Sequence, residues 1–280
     1  TPPSATARPP TACAWRCDYD KPQRGYYTWW HGRDPRFEAV LSALPGANCG
    51  ACGMPGCSGY AAKIVEGTIE INLCTVGGAD SVKKISEIMG VEATEMKSTV
   101  ARVQCQGAKN VTRTKFTYHG PKSCAAAQQV MGGFKTCQFG CLGLGDCTRV
   151  CPFDAIHMDD EKGLPVVDFE KCTGCGNCVK ECPRNIIQLV EKKFDVYVIC
   201  KSLDKAPVMK LACDVGCIAC MRCVKACKEV FKDNPAVETA IQVVNFLAVI
   251  NYDTCINCGK CAEVCPKNVI NPVKVSVEAR

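Results

Sequence analysis

The sequence predicts an α+β protein in three parts: a small N-terminal four-cysteine domain and two tandem cysteine-rich units. Three observations carry this. Cysteine accounts for 26 of 280 residues. The stretch "CTGCGNCVKECPRNII" (172–187) recurs almost unchanged as "CINCGKCAEVCPKNVI" (255–270). A third and different run, "CGACGMPGC" followed by Cys74, stands near the start.

The cysteine density resembles that of small secreted disulfide scaffolds, but the chain is too long for that class and shows no signal peptide. Its longest apolar stretch, "AIQVVNFLAVI" (240–250), falls short of the ~18 residues that a spanning helix needs. The cysteines therefore read as reduced metal ligands.

Residues 1–33 hold five of the sixteen prolines and all three tryptophans. They read as an irregular arm, with Cys13 and Cys17 as spare thiols or a metal-binding pair. Residues 34–96 form the N-terminal domain. It has a short helix before Pro45, a glycine-rich loop, a helix over 58–66, and a helix over 79–96 with Val82, Ile85, Ile88 and Met89 on one face. Residues 97–136 connect, with a strand at "VARVQC" (100–105). Residues 137–192 are the first unit, 193–212 a linker containing the strand "FDVYVIC" (194–200), and 213–280 the second unit. "LPVVDFEKC" and "LAVINYDTC" are matching strands that lead into the first ligand of each repeated run. "KEVFKDNPAVETAIQ" is a lengthened loop in the second unit.

The spacing C-x2-C-x2-C-x3-C-P is that of bacterial ferredoxin runs, in which three cysteines wrap one [4Fe-4S] cluster and the fourth ligates its neighbour. In the second unit Cys217, Cys220, Cys223 and Cys265 form one set, and Cys255, Cys258, Cys261 and Cys227 the other, with Lys228 where proline is expected. In the first unit Cys172, Cys175 and Cys178 pair with Cys151. The other run, "CQFGCLGLGDCTRVCP", is irregular, and Leu144 stands at the middle ligand position. Its set is read as Cys137, Cys141, Cys147 and Cys182, with Gly143 and Gly145 letting the longer loop wrap. This "GLG" lacks the G-x-G-x-x-G context of a nucleotide loop.

Cys49, Cys52, Cys57 and Cys74 suit a further cluster at the start of the 58–66 helix, whose positive end favours an anion. Cys105, Cys124, Cys200 and Cys213 remain. They form a sixth set or are buried inert thiols, and Cys213 competes with Cys217, because "CDVGC" copies the spacing of "CQFGC". Zinc prefers two separated pairs of thiolates, which disfavours it in the ferredoxin runs and leaves it a competitor in the N-terminal set. Disulfides between neighbouring loop cysteines would be strained.

The formal charge of +6 counts thiols as neutral. Six clusters at about −2 each would bring it to about −6, so it does not point to nucleic acid, and no aromatic interleaving supports a nucleic-acid groove. His31, His119 and His157 are isolated, and no catalytic triad, paired catalytic carboxylates or H-E-x-x-H motif appears. The chain reads as an electron wire without a catalytic site of its own.

"LPGANCGACGMPGC", "CQFGCLGLGDCTRVCPFDAI" and the two ferredoxin-type units together resemble the B subunit of the Rnf complex, from about Asp34 to the C-terminus. The resemblance implies a subunit of a membrane-bound, ion-translocating ferredoxin:NAD oxidoreductase of bacteria. It implies soluble ferredoxin as donor and membrane iron–sulfur and flavin subunits as partners. It also implies a place on the cytoplasmic face of the cell membrane, peripheral or complex-bound, since the Pro-, Arg- and Trp-containing stretch before "DPR" cannot span a bilayer. A relay in a soluble redox enzyme and a zinc-rich interaction module are the alternative readings.

Overall fold

The computed structural model describes residues 34–92, 97–232 and 239–272. The expected arm at 1–33, with Cys13 and Cys17, lies outside them, as do parts of the 79–96 helix and of the lengthened loop.

Three helices open the described chain: α1 (Arg36–Ala43), α2 (Cys57–Val65) and α3 (Gly78–Met89). Asp34 Oδ1 accepts from the Arg36 N–H at 2.9 Å ahead of α1. Gly90, with φ +69°, closes α3 in the left-handed conformation that glycine adopts readily. Their apolar faces pack as one core, with Phe37, Val40, Tyr60, Ile64, Val82 and Ile85 buried. Burial of each such side chain is worth about 1.5–3 kcal/mol. The Tyr60 hydroxyl donates to Glu70 O (2.8 Å) and accepts from Leu73 N–H (3.0 Å), fixing the loop that delivers Cys74 to this core.

The rest comprises four two-stranded antiparallel sheets. In the first half, β2 (Ile156–Asp159) pairs with β3 (Leu164–Val167), and β1 (Thr99–Val103) pairs with β4 (Ile187–Glu191). In the second half, β6 (Ile241–Val244) pairs with β7 (Leu247–Ile250), and β5 (Val196–Val198) with β8 (Ile270–Pro272). Short helices carry the cysteines: α4 (Cys124–Gln129), α5 (Asp146–Arg149), α6 (Asn177–Glu181), α8 (Arg222–Val230) and α9 (Lys260–Glu263). Helix α7 (Ala206–Ala212) follows β5, with proline in its first turn, where the missing N–H is harmless.

The repeat is thus longer than the sequence match. β1, from the connecting segment, and β5, from the linker, are counterparts. Val103 pairs with Ile187 and Val198 with Ile270, and both isoleucines lie five residues beyond the cysteine that precedes proline. Counting on from these strands makes Cys105 the counterpart of Cys200. Arg102, 4% exposed, lies between the halves. Its guanidinium stacks 3.9 Å from the Phe169 ring and 4.6 Å from the Tyr197 ring, and donates to Phe194 O.

Candidate metal centres

Four cavities are each lined by four cysteines. Cys151, Cys172, Cys175 and Cys178 surround about 350 Å³ of empty space, and Cys217, Cys220, Cys223 and Cys265 about 340 Å³. Both sets are those the spacing suggested. The other two cavities divide their cysteines differently. One, of about 330 Å³, is lined by Cys105, Cys137, Cys200 and Cys213, and the other, of about 380 Å³, by Cys124, Cys141, Cys147 and Cys182. Cys137 and Cys124 thus exchange places relative to the sequence-based grouping, and Cys213 lines the first of these cavities rather than that of Cys217.

The reason is local geometry. Asp146 Oδ2 accepts from the Ser123 hydroxyl and the Ala125 N–H, both at 3.0 Å, which seats the start of α4, and with it Cys124, beside Cys147. Burial would raise the Asp146 carboxyl. The N–H groups of Cys124 and Ala125, the Ser123 hydroxyl and Arg149 outweigh burial and hold it below the usual carboxylate range. The loop after Cys141 lies against the β2–β3 turn, where a Cβ on Gly143 (φ +73°) would come within 2.5 Å of Gly163 O. Cys137 is turned away instead, toward Met209, Ala212 and Cys213, with which it forms a small buried cluster.

The cavity of Cys105, Cys137, Cys200 and Cys213 lies between the two halves and is built from two equivalent pairs. "CQFGC" and "CDVGC" make Cys137 the counterpart of Cys213, just as β1 and β5 make Cys105 that of Cys200. The hydrogen bonds repeat too: Cys141 N–H donates to Cys105 Sγ at 3.3 Å and Cys217 N–H to Cys200 Sγ at 3.4 Å. The signal that could have found this site was present in the sequence, as two C-x3-C pairs each preceded by a strand ending near a cysteine.

The two remaining sets also assemble. Burial raises the Cys74 thiol, and the neighbouring thiols of Cys57, Cys52 and Cys49 add to this. Burial pushes Cys261 up to about 12, with Cys258, Cys255, Cys223 and Cys227 adding. The positive end of α2 begins at Cys57, whose N–H is taken by Asn48 Oδ1 (2.8 Å).

Each set lies beside the next. Asn177, in the Cys172 run, donates to Cys49 O at 3.4 Å, and Cys49 is among the thiols raising Cys175, after burial. Burial pushes Cys147 up to about 12, and Cys178 of the neighbouring set adds to this. Cys105 raises Cys141, again after burial. Cys200 is pushed to about 12 by burial, with Cys217 and Cys105 adding. Cys223 raises Cys261 in turn. These neighbours link the six quartets in sequence, from the Cys49 set to the Cys255 set. Cys258 is exposed at the latter end, while its counterpart Cys175 is half-buried next to Cys49.

These residues fit iron–sulfur clusters. The donors around each cavity are four thiolates without imidazole, and the one carboxylate beside them, Asp146, is engaged by Ser123, Ala125 and Arg149, which leaves the soft set that suits such centres. Among the described residues no three His, Cys, Asp or Glu side chains converge tightly enough for a single metal ion. The cysteines instead stand around shared cavities, four to each. Backbone N–H groups point at the sulfurs: Ala101 to Cys172, Ala155 to Cys151, and Val269 to Cys265, each at 3.4 Å. Buried thiols raised this far ionise readily only when a metal shares their charge.

Among the described residues no helix is long and apolar enough to cross a membrane. The FeS family model, for an Fe-S cluster, matches residues 44–76, and models of the 4Fe-4S dicluster domain match 136–186 and 216–270. The chain thus carries an N-terminal Fe-S domain and two dicluster domains, as the cysteine runs predicted. The B subunit of the Na(+)-translocating ferredoxin:NAD(+) oxidoreductase complex of Acetobacterium woodii is 46% identical over 238 residues, covering 85% of this chain and 68% of the relative. The B subunit of the ion-translocating oxidoreductase complex of Methanosarcina acetivorans is 42% identical over 237 residues, covering 85% and 86%. The B subunit of the proton-translocating ferredoxin:NAD(+) oxidoreductase complex of Clostridium ljungdahlii is 35% identical over 243 residues, covering 86% and 82%. Similarity of this extent, over cysteine runs gathered into quartets, means that this chain belongs to the B-subunit family of ion-translocating ferredoxin:NAD oxidoreductase complexes.

Proposed function

We propose that this chain is a six-cluster electron relay, taking electrons from reduced ferredoxin and passing them to the membrane iron–sulfur and flavin subunits of an Rnf-type complex on the cytoplasmic face of the membrane. The observation that carries the reading is the row of six cysteine quartets, each beside the next. A bound [4Fe-4S] cluster supplies reversible one-electron storage. The chain's own residues do the rest. The 24 cysteines ligate, as Cys49, Cys52, Cys57 and Cys74; Cys151, Cys172, Cys175 and Cys178; Cys124, Cys141, Cys147 and Cys182; Cys105, Cys137, Cys200 and Cys213; Cys217, Cys220, Cys223 and Cys265; and Cys227, Cys255, Cys258 and Cys261. Backbone N–H donors stabilise the charged sulfurs, and the apolar residues around each cavity limit water.

In domain terms, residues 34–96 carry the first quartet, while 137–192 and 213–280 are the ferredoxin-like units. The segments 97–136 and 193–212 supply β1, β5 and half of the quartet between the units. The end bearing the exposed Cys258 is the one open to a soluble donor.

Iron and acid-labile sulfide counts on anaerobically purified protein test the reading. About 24 irons correspond to six clusters of four, in a brown protein bleached by dithionite. A colourless protein retaining zinc would overturn it, and about 20 irons would restrict it to five clusters.

A further inference from the structure

Among the described residues the buried charged side chains are three cations, Arg102, Lys135 and Arg184, and one acid, Asp146. Asp146 is paired with Arg149. Arg184, 9% exposed, donates to Gln128 Oε1, Gly132 O and, at 3.2 Å, Cys137 O. Lys135, 5% exposed, donates to Gly107 O at 3.0 Å. These acceptors are all neutral, and among the described residues neither cation forms an ion pair.

A buried charge without a counter-charge is strongly unfavourable. What faces these two cations is sulfur. Arg184 lies beside Cys137, Cys141, Cys182 and Cys105, and Lys135 beside Cys141. Both therefore sit where the Cys141 quartet meets the central one.

The second half has no equivalent pair. The counterpart of Arg184 is Lys267, which also lines its quartet's cavity but is only half-buried and donates to Asp214 O at 2.7 Å. The counterpart of Lys135 is Leu211, 72% exposed. The acids next to the central quartet, Asp204 beside Cys137 and Asp214 beside Cys213, come from the second half. Lys201 lines the central cavity but not that of Cys217, and it bonds Gln104 Oε1.

We propose that Arg184 and Lys135 are positioning residues that bias the transferred electron toward the first-unit side of the central quartet. The row then runs downhill from the second unit to the first and on toward the N-terminal domain. This rests on the relay reading above. Coulomb attraction between an added electron and a cation is several-fold stronger in the interior than at the surface, where solvent and salt screen Lys267. The electron lost by reduced ferredoxin is the one gained by the chain. No bond forms or breaks, and no proton moves.

The test is a potentiometric titration of full-length, anaerobically purified protein, followed by EPR after iron and sulfide have been counted. Cys182→Ser is expected to remove a step of higher potential than the step removed by Cys265→Ser. Arg184→Gln and Lys135→Met should each lower the reduced-to-oxidised ratio of the Cys182-dependent step about tenfold at fixed potential, equivalent to 59 mV for a one-electron couple. Arg184→Lys should restore it. Unmoved potentials in both neutral variants with full iron, or a higher-potential step belonging to Cys265, would overturn the bias. If one neutral variant loses iron, the other decides. If both lose iron, the order of the Cys182-dependent and Cys265-dependent steps decides, and loss from Arg184→Lys as well makes these residues mere packing and overturns the bias. Wild-type protein lacking iron and sulfide would defeat the relay reading itself.

Discussion

The N–H of Cys217 donates to the Cys200 sulfur at 3.4 Å. This single contact ties the second ferredoxin-like unit to a cysteine outside its run, and its mirror image joins Cys141 to Cys105. The central quartet is thereby held by the first ligand-bearing loop of each half. Cys200→Ser is expected to remove about four irons and leave the other five quartets loaded. Iron and sulfide analysis beside the parent protein measures this, and a loss twice as large would show that the neighbouring quartet depends on the central one.

The exchange of Cys137 and Cys124 can be read from double variants. Residues that serve one site are non-additive, whereas separate sites add. Cys137→Ala combined with Cys213→Ala should lose no more than either alone, about four irons. Cys137→Ala combined with Cys147→Ala should lose about eight, since these residues line different cavities. The grouping by spacing alone gives the opposite pattern.

Asp146 lines the cavity of the Cys124 quartet, but its carboxylate is engaged by Ser123, Ala125 and Arg149, and it seats Cys124. Asp146→Ala leaves the Ser123 hydroxyl and the Ala125 N–H without their acceptor. Such orphaned groups destabilise by about 1–3 kcal/mol. The expected result is a lower thermal midpoint together with selective loss of the Cys124 quartet's iron. A lower midpoint with full iron would make Asp146 a purely structural residue.

Gly174, between Cys172 and Cys175, has φ +69°, and a Cβ there would meet Thr99 O at 2.5 Å. Gly174→Ala should destabilise the chain by about 1–3 kcal/mol, from the left-handed backbone and the forced displacement of β1. Thermal or denaturant unfolding of the loaded protein measures it, and an unchanged midpoint would mean that β1 yields freely.

Much of this was legible in the sequence because it is local. A C-x2-C-x2-C loop brings its own sulfurs together, whatever the rest of the chain does, and Val82 and Ile85 mark the buried face of α3 at helical spacing. Thus the repeated runs, the N-terminal quartet, the strands at 164–167 and 247–250 and the family likeness could all be read directly. The central quartet left a signal in the two C-x3-C pairs, but that signal does not fix which four cysteines share the site. Cys105, Cys137, Cys200 and Cys213 meet only after β1 pairs with β4 and β5 with β8, and after Asp146 draws Cys124 toward Cys147. The burial of Arg184 and Lys135 beside those sulfurs is likewise a product of packing. Sequence by itself determined which loops can grip a cluster. Tertiary structure decided how distant cysteines are shared among sites and which side of the junction carries positive charge, because both depend on contacts between segments far apart along the chain.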